Sequence, residues 1–140
     1  MTKTTVRNLL TTLIFVIAGA LTPASSFAAD GTLTDDAYTS VKTPNKNFGG
    51  DGVIAVEGGE ATAYLKFSLA NFPAGVTGND VMKATLKLWV NNVKNAGSFD
   101  VVRVNGAWTE NGLTLATAPA LGAVEASAVP VGTAVVGKQP

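Results

Sequence analysis

The sequence predicts an all-β domain of the β-sandwich or jelly-roll kind, and three observations carry that prediction. Apolar and polar residues alternate at period two in two segments beyond residue 60, the spacing of a half-buried strand. Pro, Gly and Asn interrupt the chain at short intervals, which suits many short strands joined by loops. The region after residue 28 is rich in Gly, Val, Thr, Ala and Asn, a composition that disfavours long helices.

The first element is a targeting segment rather than part of the fold. Lys3 and Arg7 precede an almost wholly apolar run over 9–21, and the block that follows holds Pro23 and ends in small residues. That is the layout of a cleavable secretory signal, with Ser26 and Ala28 at the −3 and −1 positions. Cleavage is expected after Ala28, with Ala29 the nearest competitor. An uncleaved anchor would need an apolar run of about 20 residues, and this run is shorter. Residues 29–140 then form one domain with a single core.

Strands are expected at 33–38, at 53–57 and, most clearly, at 63–69, where Leu65, Phe67 and Leu69 alternate with Tyr64, Lys66 and Ser68. The apolar set is expected to face the core. Residues 71–80, with Pro73, Gly75, Gly78 and an Asn-Asp pair, read as a loop crossing. Another strand is expected at 83–90, with Ala84, Leu86, Leu88 and Val90 on one side and Lys83, Thr85, Lys87 and Trp89 on the other. A turn over 91–97 leads to a strand at 99–104, and a weaker strand pattern lies at 124–131.

Charge and residue inventory exclude several functions. The chain has ten basic and ten acidic residues; without Lys3 and Arg7, eight bases face ten acids and the net charge is −2. No basic cluster is present, which argues against a nucleic-acid partner. There is no Cys, so the exported domain relies on packing rather than disulfides. Without His or Cys, Ser-His-Asp and Cys-His nucleophiles and the usual zinc ligand sets are excluded. Glycoside hydrolysis by two carboxylates needs a facing pair. Glu110 stands out among the acids but has no evident partner, and its plain reading is a structural acceptor at the turn Asn111-Gly112. No catalytic residue is assigned.

Five segments, taken in order, resemble a known family: Asp36-Ala37-Tyr38, Pro44-Asn45-Lys46-Asn47-Phe48-Gly49, Tyr64-Leu65-Lys66-Phe67-Ser68-Leu69, Ala84-Thr85-Leu86-Lys87-Leu88-Trp89 and Trp108-Thr109-Glu110. Over about residues 32–122 the chain is similar to the DNRLRE domain family and the related carbohydrate-binding module family 96, of the disaggregatase-related repeat type. The resemblance implies a jelly-roll β-sandwich in secreted proteins, often attached to polysaccharide-degrading enzymes and acting as a sugar-binding module. Such domains continue through a further strand pair, so the chain reads as a fragment whose C-terminal strands are missing, with other domains in a longer protein.

The candidate ligand surface is the strand face bearing Trp89, Lys87 and Lys83, joined by Tyr64 and Lys66 if the two strands are neighbours. Pyranose rings need flat apolar faces, and uronates need cations beside them. The competing reading packs Trp89 beneath a loop; Trp108 is expected in the core. Oxygens of Asp35, Asp36, Asn45, Asn47 and Asp51 form a candidate calcium site, although the same residue types serve any tight turn. The expected function is a secreted, extracellular or periplasmic, non-catalytic carbohydrate-binding module for an acidic polysaccharide, with no membrane contact once the signal is removed. The alternative is a structural or adhesive module of a cell-surface or matrix protein.

Overall fold

The structure, a computed structural model, describes residues 27–133. Their regular structure is all-β: β1 (Thr32–Ser40), β2 (Ala61–Ser68), β3 (Gly97–Asn105) and β4 (Ala120–Val131), with two single-turn 3₁₀ segments at Gly78–Asp80 and Glu110–Gly112. β1 pairs antiparallel with β2, and β3 antiparallel with β4, giving two two-stranded sheets. This agrees with the β-sandwich class. No helix among the described residues is long and apolar enough to cross a membrane. The expected signal segment lies outside the described residues except for Phe27 and Ala28. The Phe27 ring meets Phe72 edge-on at 6.1 Å.

The register of the first sheet decides which side chains are inside. Asp35 stands opposite Lys66, Ala37 opposite Tyr64 and Thr39 opposite Thr62, so these residues share one face, because opposed residues of an antiparallel pair project to the same side. The register shifts between Leu33 and Asp35, which leaves Thr34 as the extra residue of a bulge. Ala37 is fully buried, Tyr64 is 4% exposed and Thr39 is 1% exposed. Leu113, which follows the second 3₁₀ turn, closes on Ala37 and Tyr64, and Val104 of β3, Trp108 and Ala118 pack around them. The core therefore sits where the inner face of β1–β2 meets the end of β3 and the segment after it.

This corrects the expected polarity of β2. Phe67 and Leu69 were expected inside, yet they are 41% and 59% exposed, while Tyr64 is buried. Lys66 occupies the inner face because its ammonium finds a carboxylate and a carbonyl there, and its alkyl stem can lie along apolar neighbours.

Two expected strands are absent. Residues 53–57 lie in the loop between β1 and β2, with Val53 and Val56 more than half exposed and only Glu57 bridging Ala61. Gly52 precedes the segment and Gly58-Gly59 follows it, Gly59 at φ 72°, so the chain turns before a ladder can extend. Residues 83–90 are not paired to any described strand. Their alternation is strand-like, but a strand exists only with a partner on its hydrogen-bonding edge. The weak strand expected at 124–131 is real and longer, running from Ala120.

Candidate functional site

Four of the five motif segments meet beside the core. β1 and the second 3₁₀ turn are fastened reciprocally: the Glu110 backbone N–H donates to Asp35 Oδ1 at 3.2 Å, and the Asp36 backbone N–H donates to Glu110 Oε2 at 3.3 Å. Each segment thus supplies both a backbone donor and a carboxylate. Asn47 Nδ2 donates to the carbonyls of Glu110 at 2.6 Å and Leu113 at 2.7 Å, and Asn47 Oδ1 accepts from the Gly49 N–H. Gly49 is buried directly against Glu110, and a Cβ there would lie 2.5 Å from both Glu110 Cγ and the Glu110 carbonyl oxygen. Only a residue without a side chain allows that approach.

Lys66 completes the cluster from β2. Its Nζ is 2.8 Å from Asp35 Oδ2, donates to the Trp108 carbonyl at 2.8 Å, and lies 5.1 Å from the Trp108 ring centre. The Lys66 hydrogen bond holds the Asp35 carboxyl below the usual carboxylate range, with Thr34 and the Glu110 N–H helping against partial burial. Trp108 meets Tyr64 edge-on at 5.9 Å, and desolvation pushes the Tyr64 phenol up, partly offset by the Thr39 side chain. Tyr64 and Lys66, expected on an open ligand surface with Trp89, instead form part of this joint, Tyr64 buried and Lys66 half-buried. The carboxylates of Asp35 and Glu110 are both engaged by backbone donors, so the cluster acts as a structural lock.

On the opposite face of β1, the Tyr38 ring stacks on Phe48 at 4.2 Å and the Tyr38 hydroxyl donates to Asp51 Oδ2 at 2.9 Å. Lys46 Nζ lies 4.3 Å from the Phe48 ring centre. Among the residues considered for calcium, Asp35 is committed to Lys66, Asn47 to two carbonyls and Asp51 to Tyr38, while Asn45 is exposed and Asp36 is held through its backbone. No group of three His, Cys, Asp or Glu residues gathers among the described residues.

The remaining motif segment presents a different environment. Trp89 is 52% exposed, and Lys83 and Lys87 are exposed on the same alternating set. Of the two tryptophans, Trp108 is absorbed by the core cluster and Trp89 is open to solvent. Trp89, Lys87 and Lys83 are thus all open to solvent, whereas Tyr64 is buried and Lys66 is paired to Asp35. Sequence reasoning missed the double grip of Asn47. The signal was the spacing of Asn47 and Gly49, which reads as an ordinary turn until the distant Glu110 is brought alongside. Also unforeseen was a shallow apolar hollow of about 220 Å³ in the 69–81 loop, lined by Leu69, Phe72, Val76 and Val81.

Comparison with curated proteins and with solved structures returns no match. Comparison with family models matches residues 28–135 to one family, described as carbohydrate-binding module family 96. The match spans most of the chain, including all four strands and both the interior lock and the Trp89 stretch. The chain belongs to carbohydrate-binding module family 96.

Proposed function

We propose that this chain is the non-catalytic, sugar-binding part of an exported protein, and that it takes an acidic polysaccharide on the stretch carrying Trp89, Lys87 and Lys83. The observation that carries the reading is the exposure of Trp89 beside two exposed lysines, while the other tryptophan is used for packing. An open indole offers the flat apolar face a pyranose ring stacks on, and two ammonium groups four residues apart in the same alternating set suit carboxylates repeated along a uronate chain. Engagement of Asp35 and Glu110 in backbone hydrogen bonds favours a structural over a catalytic role for them. The apolar N-terminal run with its small-residue site supports export, and polysaccharides of this kind lie outside the cytoplasm.

Affinity electrophoresis in gels containing alginate, pectate or neutral glucans tests this directly. The purified protein is expected to be retarded by the two polyuronates and not by neutral glucans. Retardation should fall with added salt, since exposed charges are screened beyond about 10 Å at 0.1 M. Trp89→Ala and Lys87→Ala should each abolish most of it. Retardation unchanged in both variants places the site elsewhere, and no retardation by any polymer favours the structural or adhesive role.

A further inference from the structure

The chain holds two Asn-Gly pairs, Asn105-Gly106 and Asn111-Gly112. A glycine leaves its own amide nitrogen unshielded by any side chain, which is what the preceding asparagine needs in order to cyclise onto it. The two pairs are equal in sequence, and both asparagines are exposed. Their surroundings differ.

The second pair is held. The Gly112 N–H donates to the Thr109 carbonyl at 3.1 Å, and a Cβ built on Gly112 would lie 2.8 Å from Thr109 Oγ1. The same turn is fastened from outside, by the bond of the Glu110 N–H to Asp35 and by the grip of Asn47 on the carbonyls of Glu110 and Leu113. Attack by the Gly112 nitrogen therefore requires a hydrogen bond to break and a fixed turn to deform.

The first pair carries no such restraint. Asn105 is the last residue of β3, and the Gly106 N–H enters no backbone hydrogen bond among the described residues. The fold also demands the glycine. Gly106 has φ 145°, a conformation L side chains rarely adopt, and its missing Cβ would stand 3.1 Å from Pro119 Cβ. A bulkier residue that would shield the nitrogen has no place there.

We infer that Asn105 is a site of spontaneous deamidation and isoaspartate formation, and that the 3₁₀ turn protects Asn111 from the same reaction. The Gly106 nitrogen attacks Asn105 Cγ. The new N–Cγ bond forms as the Cγ–Nδ2 bond breaks, the amide proton passes to the leaving nitrogen, and ammonia departs. One water then opens the five-membered succinimide at either carbonyl. One product is aspartate on the original backbone; the other is isoaspartate, whose main chain is longer by one carbon. Either replaces a neutral amide with a carboxylate. Position 105 pairs with Ala120 at the end of the β3–β4 ladder and follows Val104, which packs on the core cluster. The isoaspartate form should therefore unfold at lower urea than the fresh protein.

The test incubates the purified protein at mildly alkaline pH, folded and in urea, and follows both sites by peptide mass spectrometry. Isoaspartate is told from aspartate by its acceptance of a methyl group from an isoaspartyl methyltransferase. In the folded protein Asn105 should convert about two- to ten-fold faster than Asn111, the factor that one backbone hydrogen bond contributes. In urea the two rates should converge. Asn105→Gln should remove the faster phase of ammonia release and leave the slower one. Equal rates in the folded protein, faster conversion at Asn111, or an Asn105 that survives in the folded protein while it converts in urea would each overturn the inference.

Discussion

Gly49 sits where a side chain has no room. Its backbone lies against Glu110, so that a methyl group there would overlap Glu110 Cγ and the Glu110 carbonyl oxygen at 2.5 Å. The Asn47 side chain, bonded to two carbonyls of the same turn, prevents the loop from backing away. Gly49→Ala is therefore expected to cost about 1–3 kcal/mol, as overpacking of a fixed site does, read as a lower urea midpoint with an unchanged slope. Asp35 gives a pH signature in the same cluster. Its carboxyl is held below its unfolded value by Lys66, so its contribution is fully present above the unfolded value, about 4, and is lost as pH falls through the lower folded value. The urea midpoint should drop on acidification from about pH 5 downward, and Asp35→Asn should make that drop shallower while lowering the midpoint at neutral pH. Equal acid slopes in the two proteins would remove Asp35 from the account. The inward position of Lys66 also explains why the face of β2 was misread. Period two was visible in Tyr64-Leu65-Lys66-Phe67, but it reports alternation, not which side is covered. A lysine counted as a surface residue takes the inner side once Asp35 and the Trp108 carbonyl meet it, and both partners come from distant sequence.

At the scale of elements, β2 was legible from its alternation, and β1 and β3 as short runs of strand-forming residues bounded by loop residues. β4 was legible only in part, since Pro130, Gly122 and a run of small residues blur its pattern, and its register against β3 shifts at three places. One of its irregularities is specific. Ala128 has φ 52°, the left-handed region that costs an L-residue about 1–2 kcal/mol, and its N–H donates to Asp100 Oδ1 at 2.8 Å. The aspartate holds a backbone turn that the residue itself does not favour. Ala128→Gly should relieve this strain, offset by the greater unfolded-state freedom of glycine, for a net gain of about 0.5–1 kcal/mol in stability. A net loss would mean that the Ala128 methyl is needed where it is. The segments at 53–57 and 83–90 show the converse limit of sequence reasoning. Both carry strand-forming residues, yet pairing depends on what lies alongside, and a linear pattern holds no record of that.

For the whole molecule, the division of labour between the two tryptophans organises the account. Trp108 joins Tyr64, Leu113 and Ala37 in the core, and the carboxylates of Asp35 and Glu110 tie β1 to the turn that follows Trp108. That interior lock draws together four of the five segments by which the family resemblance was recognised, which is why motif order alone pointed to the fold class and to carbohydrate-binding module family 96. Trp89, Lys87 and Lys83 were grouped by alternation alone, whereas adding Tyr64 and Lys66 required residues 83–90 to pair beside β2, and β2 pairs with β1 only among the described strands. The central claim is that the exposed indole meets the sugar. Trp89 and Trp108 differ in exposure, so intrinsic fluorescence separates them: titration of the purified protein with an oligouronate should shift and quench the Trp89 emission saturably, and Trp89→Phe should abolish the change while the native circular dichroism spectrum persists. A full saturable change retained in Trp89→Phe, or binding established by calorimetry with no change in wild-type emission, would contradict it.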